Sequence, residues 1–125
     1  MRDSAKNIHR GAIFWVTAQV DGAEDTVGVP HPHVVVQDDL FNQSRIATVV
    51  VCPLTSNLNR AKEPGNVLLD PGEADLSRQS IVLAARVTSV RKTDLGAYIG
   101  ALTPERVDQV LAALRFVQTS FLGER

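Results

Sequence analysis

The chain has 125 residues, of which 44% are hydrophobic, so it can form one domain with its own core and is too short for two ordinary domains. Its formal net charge of -1 excludes the broad basic surface of proteins that coat nucleic acid without regard to sequence, so any nucleic-acid site must be local. The single cysteine, Cys52, cannot form an intrachain disulfide, and the apolar stretch 12–16 is too short for a signal peptide or a membrane span. We therefore expect one domain over residues 1–125, located in the reducing cytoplasm.

The N-terminal half contains three predicted strands. Residues 12–19 are rich in β-branched and aromatic side chains, while residues 33–37 and 48–54 are continuously apolar, as central strands covered on both faces are. Residues 20–30 combine glycines, acids and a proline without apolar periodicity, which predicts a mobile loop. The polar stretch 38–45 is predicted to form a helical turn.

Two further loops and one more strand are predicted in the middle of the chain. The loop-like stretches 56–66 and 70–79 flank a short apolar piece at 67–69. A strand follows over residues 80–90. Several short strands at close spacing are typical of a small β-barrel.

The C-terminal part of the chain changes to the period of a helix. Thr103 is a suitable N-cap, and Pro104 suits the first helical position. Apolar residues then recur at steps of three and four up to Gly123, which is expected to end the helix: Val107, Val110, Leu111, Leu114, Val117 and Phe121. The pattern predicts a mainly β fold with a C-terminal helix packed on the barrel, and we assign Phe14, Trp15 and Phe116 to the core.

Three strings of residues carry a resemblance to a known family. Residues 10–16 (RGAIFWV) resemble the opening strand of the MazF/PemK toxins, although Ala12 replaces the usual acid. Residues 31–39 (HPHVVVQDD) resemble the second strand, and residues 51–57 (VCPLTSN) resemble the end of the third. The three strings stand in the same order as in that family and at similar distances along the sequence. They identify the chain as a member of the family over roughly residues 10–118.

The resemblance implies an SH3-like barrel and a specific activity. Members are homodimeric toxins of type II toxin–antitoxin systems that cut single-stranded RNA, chiefly mRNA, without a metal or an organic cofactor. The 2′-hydroxyl of the RNA attacks the adjacent phosphorus, so the protein must move protons and stabilise charge on the phosphoryl oxygens. The implied partners are therefore single-stranded RNA, a cognate antitoxin and a second copy of the chain, with no membrane association.

The resemblance maps three candidate catalytic residues onto this sequence. Thr55 and Ser56 match the family's threonine and serine, with the alternative that they only satisfy backbone groups in a turn. His31 stands where the family has an arginine, and it can act as acid or base or can merely fix the turn before Pro32. On a strand His31 and His33 would share a face, but no third ligand lies at a convincing spacing for a metal.

Candidate RNA-binding residues are the cations near these strings. Many relatives carry an acid followed by glutamine where this chain has Ala85 and Arg86, so Arg86 can replace the phosphate contact of the missing arginine or can be a solvated arginine at the end of a strand. The other phosphate-binding candidates are Arg60, Lys62 and Arg78, with solvent-exposed surface residues as the alternative.

Two alternatives to the endoribonuclease remain at this point. A catalytically silent protein of the same fold would act by binding an antitoxin, RNA or a decoy partner. A relative of the similarly folded CcdB toxins would target DNA gyrase. We also expect an antitoxin's acidic tail to order the loop over residues 20–30 on binding.

Overall fold

The structure, a computed structural model, describes residues 8–17 and 28–122. In these ranges seven strands form one antiparallel sheet and two α-helices accompany it. Most of the predicted loop at 20–30, and Gly123, lie outside the described residues. The elements in chain order are β1 (Ala12–Val16), β2 (His31–Val35), α1 (Asp39–Asn42), β3 (Thr48–Thr55), β4 (Val67–Leu68), β5 (Ile81–Val82), β6 (Thr88–Arg91), β7 (Leu95–Ala101) and α2 (Pro104–Leu122).

The sheet has the order β4-β5-β3-β2-β1-β7, and β6 also pairs with β3. The mainly β class with a C-terminal helix is therefore confirmed. The sequence predicted a small barrel. In the described part of the chain the sheet is not closed, because β4 and β7 at its two ends share no ladder. The long strand β3 lies at the centre, as its uninterrupted apolar run predicted.

The sheet is covered on both faces, each by a separate apolar cluster. Ile13, Val34 and Leu54 belong to one cluster, whereas their neighbours along the chain, such as Phe14 and Val35, belong to the other. This division follows the alternation of side chains along a strand. Because both faces of the sheet are covered, the central strands contain continuous apolar runs and do not alternate with polar residues.

The strand predicted over residues 80–90 is interrupted in the structure. β5 and β6 both pair with β3, but a 3-10 helix at Ala84–Arg86 separates them. Pro53 of β3 lies between the two pairings, where its carbonyl accepts from the Leu83 amide at 2.9 Å. Proline has no N–H to return a second bond, so a continuous ladder cannot form there.

The C-terminal helix begins where the sequence predicted. The Thr103 hydroxyl accepts from the Arg106 amide at 3.2 Å, and Val110 is buried against the sheet. Phe116 is 56% exposed, so its assignment to the core is wrong. It lies beside the stripe that contains Val110, Leu114 and Val117, on a more exposed side of the helix. No helix in the described ranges is both long and apolar enough to cross a membrane.

Candidate active site

The strands bring His31 and Thr55 to neighbouring ends of the sheet. The described pairing of β2 with β3 ends at His33 and Pro53, and each strand continues two residues beyond that pair. Extending the register therefore places His31 across from Thr55. Both residues lie two positions from a paired residue, so they fall on the same side of the sheet.

His31 is half-buried and keeps one ring nitrogen without a partner. Its Nε2 atom is buried and makes no hydrogen bond with any of the described residues. A buried polar atom without a partner is destabilising, which makes such an atom a candidate contact for a ligand. This ring nitrogen is therefore a candidate for contact with a substrate.

His33 has a different role from His31. It is 1% exposed, and its Nδ1 lies 2.9 Å from the carbonyl oxygen of His31. A carbonyl can only accept, so Nδ1 carries the proton in this hydrogen bond. Burial lowers the pKa of His33, which keeps the ring neutral near pH 7. His33 thus fixes the backbone that carries His31. Within the described ranges, no cluster of three His, Cys, Asp or Glu residues could hold a metal.

The two candidate hydroxyls lie at the end of β3. Thr55 is half-buried, and its Oγ1 accepts from the amide of Asn57 at 3.2 Å, so the turn-forming alternative is present in the structure. A hydroxyl that accepts one bond can still donate another, and this leaves Thr55 able to donate to a phosphate oxygen. Ser56 follows it and is exposed at a cavity.

A cavity of about 460 Å³ opens beside these strand ends. Three predicted site residues line it: His31, Ser56 and Arg78. Its apolar lining includes Trp15, which is 40% exposed, so the assignment of Trp15 to the core is wrong. A wall of the cavity is formed by residues 75–78.

Tyr98 also lines the cavity and had no role in the sequence-based prediction. It is 58% exposed, and its ring packs edge-on against buried Phe14 with 5.6 Å between the ring centroids. Exposed aromatic residues beside a cavity can stack on nucleobases. The sequence gives no signal for this exposure, because Trp15 sits within an apolar run and β7 was not predicted as a strand.

The other predicted cations lie away from this cavity. Arg60 is bound to Glu63, with 2.6 Å between Nε and Oε2, and this bond lowers the pKa of Glu63. Lys62 is exposed in the same 3-10 helix, Leu58–Lys62. Arg86 is half-buried between β5 and β6. None of the three lines the cavity, and their contacts with RNA stay predictions.

The buried thiol takes no part in this site. Cys52 is fully buried in the sheet, and burial raises its pKa to about 12. A thiol that stays protonated is a poor nucleophile and metal ligand. The candidate reactive groups are therefore the imidazole and the two hydroxyls at the strand ends and the Arg78 guanidinium in the cavity wall.

These features describe a small, mainly β protein with a candidate site made of an imidazole, two hydroxyls and a guanidinium. The model of the family of PemK-like and MazF-like toxins of type II toxin–antitoxin systems matches residues 9–117. The chain belongs to this family, as the three strings of residues predicted.

Individual relatives agree with this assignment. Endoribonuclease MazF6 of Mycobacterium tuberculosis is 33% identical over 110 residues, which cover 88% of this chain and 96% of that protein. Endoribonuclease EndoA of Bacillus subtilis is 28% identical over 109 residues, covering 86% and 91%. A mycobacterial endoribonuclease solved in complex with its cognate antitoxin shares the fold, with a TM-score of 0.67 and 23% identity over 90% of this chain and 95% of that one.

Proposed function

We propose that this protein is the toxin of a type II toxin–antitoxin pair and an endoribonuclease that cleaves single-stranded RNA without a metal. The observation that carries the proposal is a cavity lined by His31, Ser56 and Arg78, at the strand end to which the register of β2 and β3 also brings Thr55. The relatives named as endoribonucleases support the same activity. The cavity has the size usual for small-ligand pockets, roughly 300–1,000 Å³.

The chemistry follows from the groups at the strand ends. The 2′-hydroxyl of the RNA loses its proton as its oxygen bonds to the neighbouring phosphorus, and the bond from phosphorus to the 5′-oxygen breaks. The products are a 2′,3′-cyclic phosphate and a 5′-hydroxyl that has gained a proton. In this scheme His31 transfers protons, whereas Thr55 and Ser56 donate hydrogen bonds to the phosphoryl oxygens. Arg78 adds a fixed positive charge at the cavity wall.

The proposal includes two protein partners and a compartment. A solved relative bound to its cognate antitoxin supports an antitoxin partner for this chain. The family resemblance supports a homodimer, which light scattering would detect as twice the mass of the 13.6 kDa chain. The lone buried cysteine fits the reducing cytoplasm.

Cleavage of a long RNA tests the proposal directly. The purified protein is incubated with a long single-stranded RNA in EDTA, and the fragment ends are mapped. We expect discrete cuts with 5′-hydroxyl and cyclic phosphate ends, and much slower cleavage at the same positions with Thr55→Ala. RNA that remains intact with the parent protein would refute the endoribonuclease and favour a protein that acts by binding alone.

A further inference from the structure

The wall of the cavity is an irregular segment with an unusual backbone. Ala74 and Asp75 have left-handed backbone angles, with φ of 56° and 62°. Such angles are unfavourable for residues other than glycine and persist only where the surrounding structure imposes them. Gly100 of β7 contributes to this, because a Cβ atom there would clash with the backbone carbonyl of Ala74. The segment is thus pressed closely against β7.

An ion pair from the C-terminal helix fixes the same segment. Arg106 binds Glu73 through two hydrogen bonds, Nε to Oε2 and NH2 to Oε1, each 2.8 Å long. The Glu73 carboxylate also accepts from the amide of Asp70 at 2.8 Å. Both partners of the ion pair are largely buried, and the bonds from Arg106 lower the pKa of Glu73. Two planar groups joined in this bidentate way resist rotation.

This support holds Asp75 at the cavity and leaves its carboxylate without a protein partner among the described residues. Asp75 is exposed and lines the cavity, and among the described residues its side chain has no hydrogen bond or ion pair. It is the one acidic residue among those described that line the cavity. A carboxylate in a site for a polyanion is unfavourable unless it contacts a hydrogen-bond donor of the ligand.

We propose that Asp75 reads a guanine base of the bound RNA, with the base packed on Trp15. The inference rests on the proposed function and adds a specificity-determining residue to its site. An ionised carboxylate has two acceptor oxygens and no donor. Guanine offers two adjacent N–H donors, N1 and N2, on its Watson–Crick edge, whereas uracil has a single N–H between two carbonyls that repel a carboxylate. Proteins that read single-stranded RNA bind unstacked bases in this manner.

Trp15 provides both a stacking surface and a signal for the experiment. It is the only tryptophan of the chain, and it lines the same cavity as Asp75. A base that stacks on the indole changes its fluorescence. Binding in this cavity can therefore be measured without a label and without cleavage.

The experiment titrates the protein with four oligonucleotides and follows tryptophan fluorescence. Each is a chain of nine 2′-O-methyl uridines whose central base is guanine, adenine, cytosine or uracil; the methyl group prevents cleavage. We expect the guanine oligonucleotide to bind about tenfold more tightly than the all-uracil one, the usual effect of hydrogen bonds to a charged group. Asp75→Asn should reduce this preference to roughly twofold or less, since an amide can donate to uracil as well. Asp108→Asn removes the same charge at an exposed position on α2 and should leave the preference for guanine unchanged.

The positioning role of Arg106 is tested in the same assay. Arg106→Lys keeps the charge but cannot form both hydrogen bonds to Glu73. We expect it to lose most of the guanine preference while binding the all-uracil oligonucleotide as the parent does. A purely structural role would lower the melting temperature and leave the preference intact.

The outcomes separate this inference from the proposed function. Equal affinity of the parent for guanine and uracil, or an unchanged preference in Asp75→Asn, would overturn the inference even if the protein cleaves RNA. If no oligonucleotide changes the fluorescence and no long RNA is cut, the proposed function fails together with it.

Discussion

The two sides of the cavity are built in different ways. On one side, the ladder of β2 and β3 positions His31, which lines the cavity, and the neighbouring strand end that carries Thr55. On the other side, the segment that includes Asp75 has no ladder and is held by the ion pair of Glu73 with Arg106. The imidazole and the hydroxyls proposed for the chemistry thus depend on the sheet, whereas Asp75, proposed to select the base, depends on a few side-chain contacts.

The largest expected effect concerns the side built on the sheet. Thr55→Ala should reduce kcat/KM for RNA cleavage by at least about a hundredfold, the usual loss when one preorganised donor is removed. Thr55→Ser keeps the hydroxyl and should retain activity within about tenfold. Single-turnover cleavage of a long RNA measures both variants. Full activity in Thr55→Ala would show that the hydroxyl only caps the turn to Asn57.

A moderate effect on stability is expected at the wall. Glu73→Gln removes the carboxylate that Arg106 and the Asp70 amide bind, and should lower the free energy of unfolding by about 1–3 kcal/mol. Urea denaturation measures the change, with Asp108→Asn as the exposed control. Cleavage should change less than tenfold, because the strand ends do not depend on this pair. A loss of activity as large as that of Thr55→Ala would contradict the division of the site into two sides.

A smaller effect is expected from pH at the same ion pair. The pKa of Glu73 is lowered in the folded state, chiefly by its hydrogen bonds from Arg106. The folded state therefore binds fewer protons than the unfolded state in acid, and the stabilisation present above the ordinary pKa of about 4.3 is lost as pH falls below it. The stability difference between the parent and Glu73→Gln should shrink from pH 6 to pH 3 in urea denaturation. A constant difference would mean that Glu73 acts through shape and not through charge.

The same division governs what the sequence predicts. Apolar runs predicted β1 and β3, the Thr103 N-cap predicted the start of α2, and the family strings selected His31 and Thr55. The sequence does not predict the break between β5 and β6. The break arises because the missing N–H of Pro53 is on the edge of β3 that pairs with these two strands, and a sequence pattern does not show which edge that is.

The wall of the cavity was missed for a related reason. Glu73 and Arg106 are 33 positions apart, and neither residue stands in a recognisable motif. The exposure of Trp15 depends on which segments cover the end of β1, which periodicity cannot report. Contacts of this kind arise from tertiary packing, so only the folded structure identifies Asp75 as a candidate reader of bases.

The pH dependence of cleavage by the parent and by His31→Arg tests whether His31 transfers the protons. An imidazole can exchange a proton with the substrate and a guanidinium stays charged, so kcat/KM of the parent should vary with pH. His31→Arg should remain active with a flatter profile, and His31→Ala should lose about 10²- to 10⁴-fold, the usual contribution of a positioned acid or base. If His31→Ala cleaves RNA as fast as the parent, with the same pH profile, His31 is not the proton-transfer group and the account of the site is wrong.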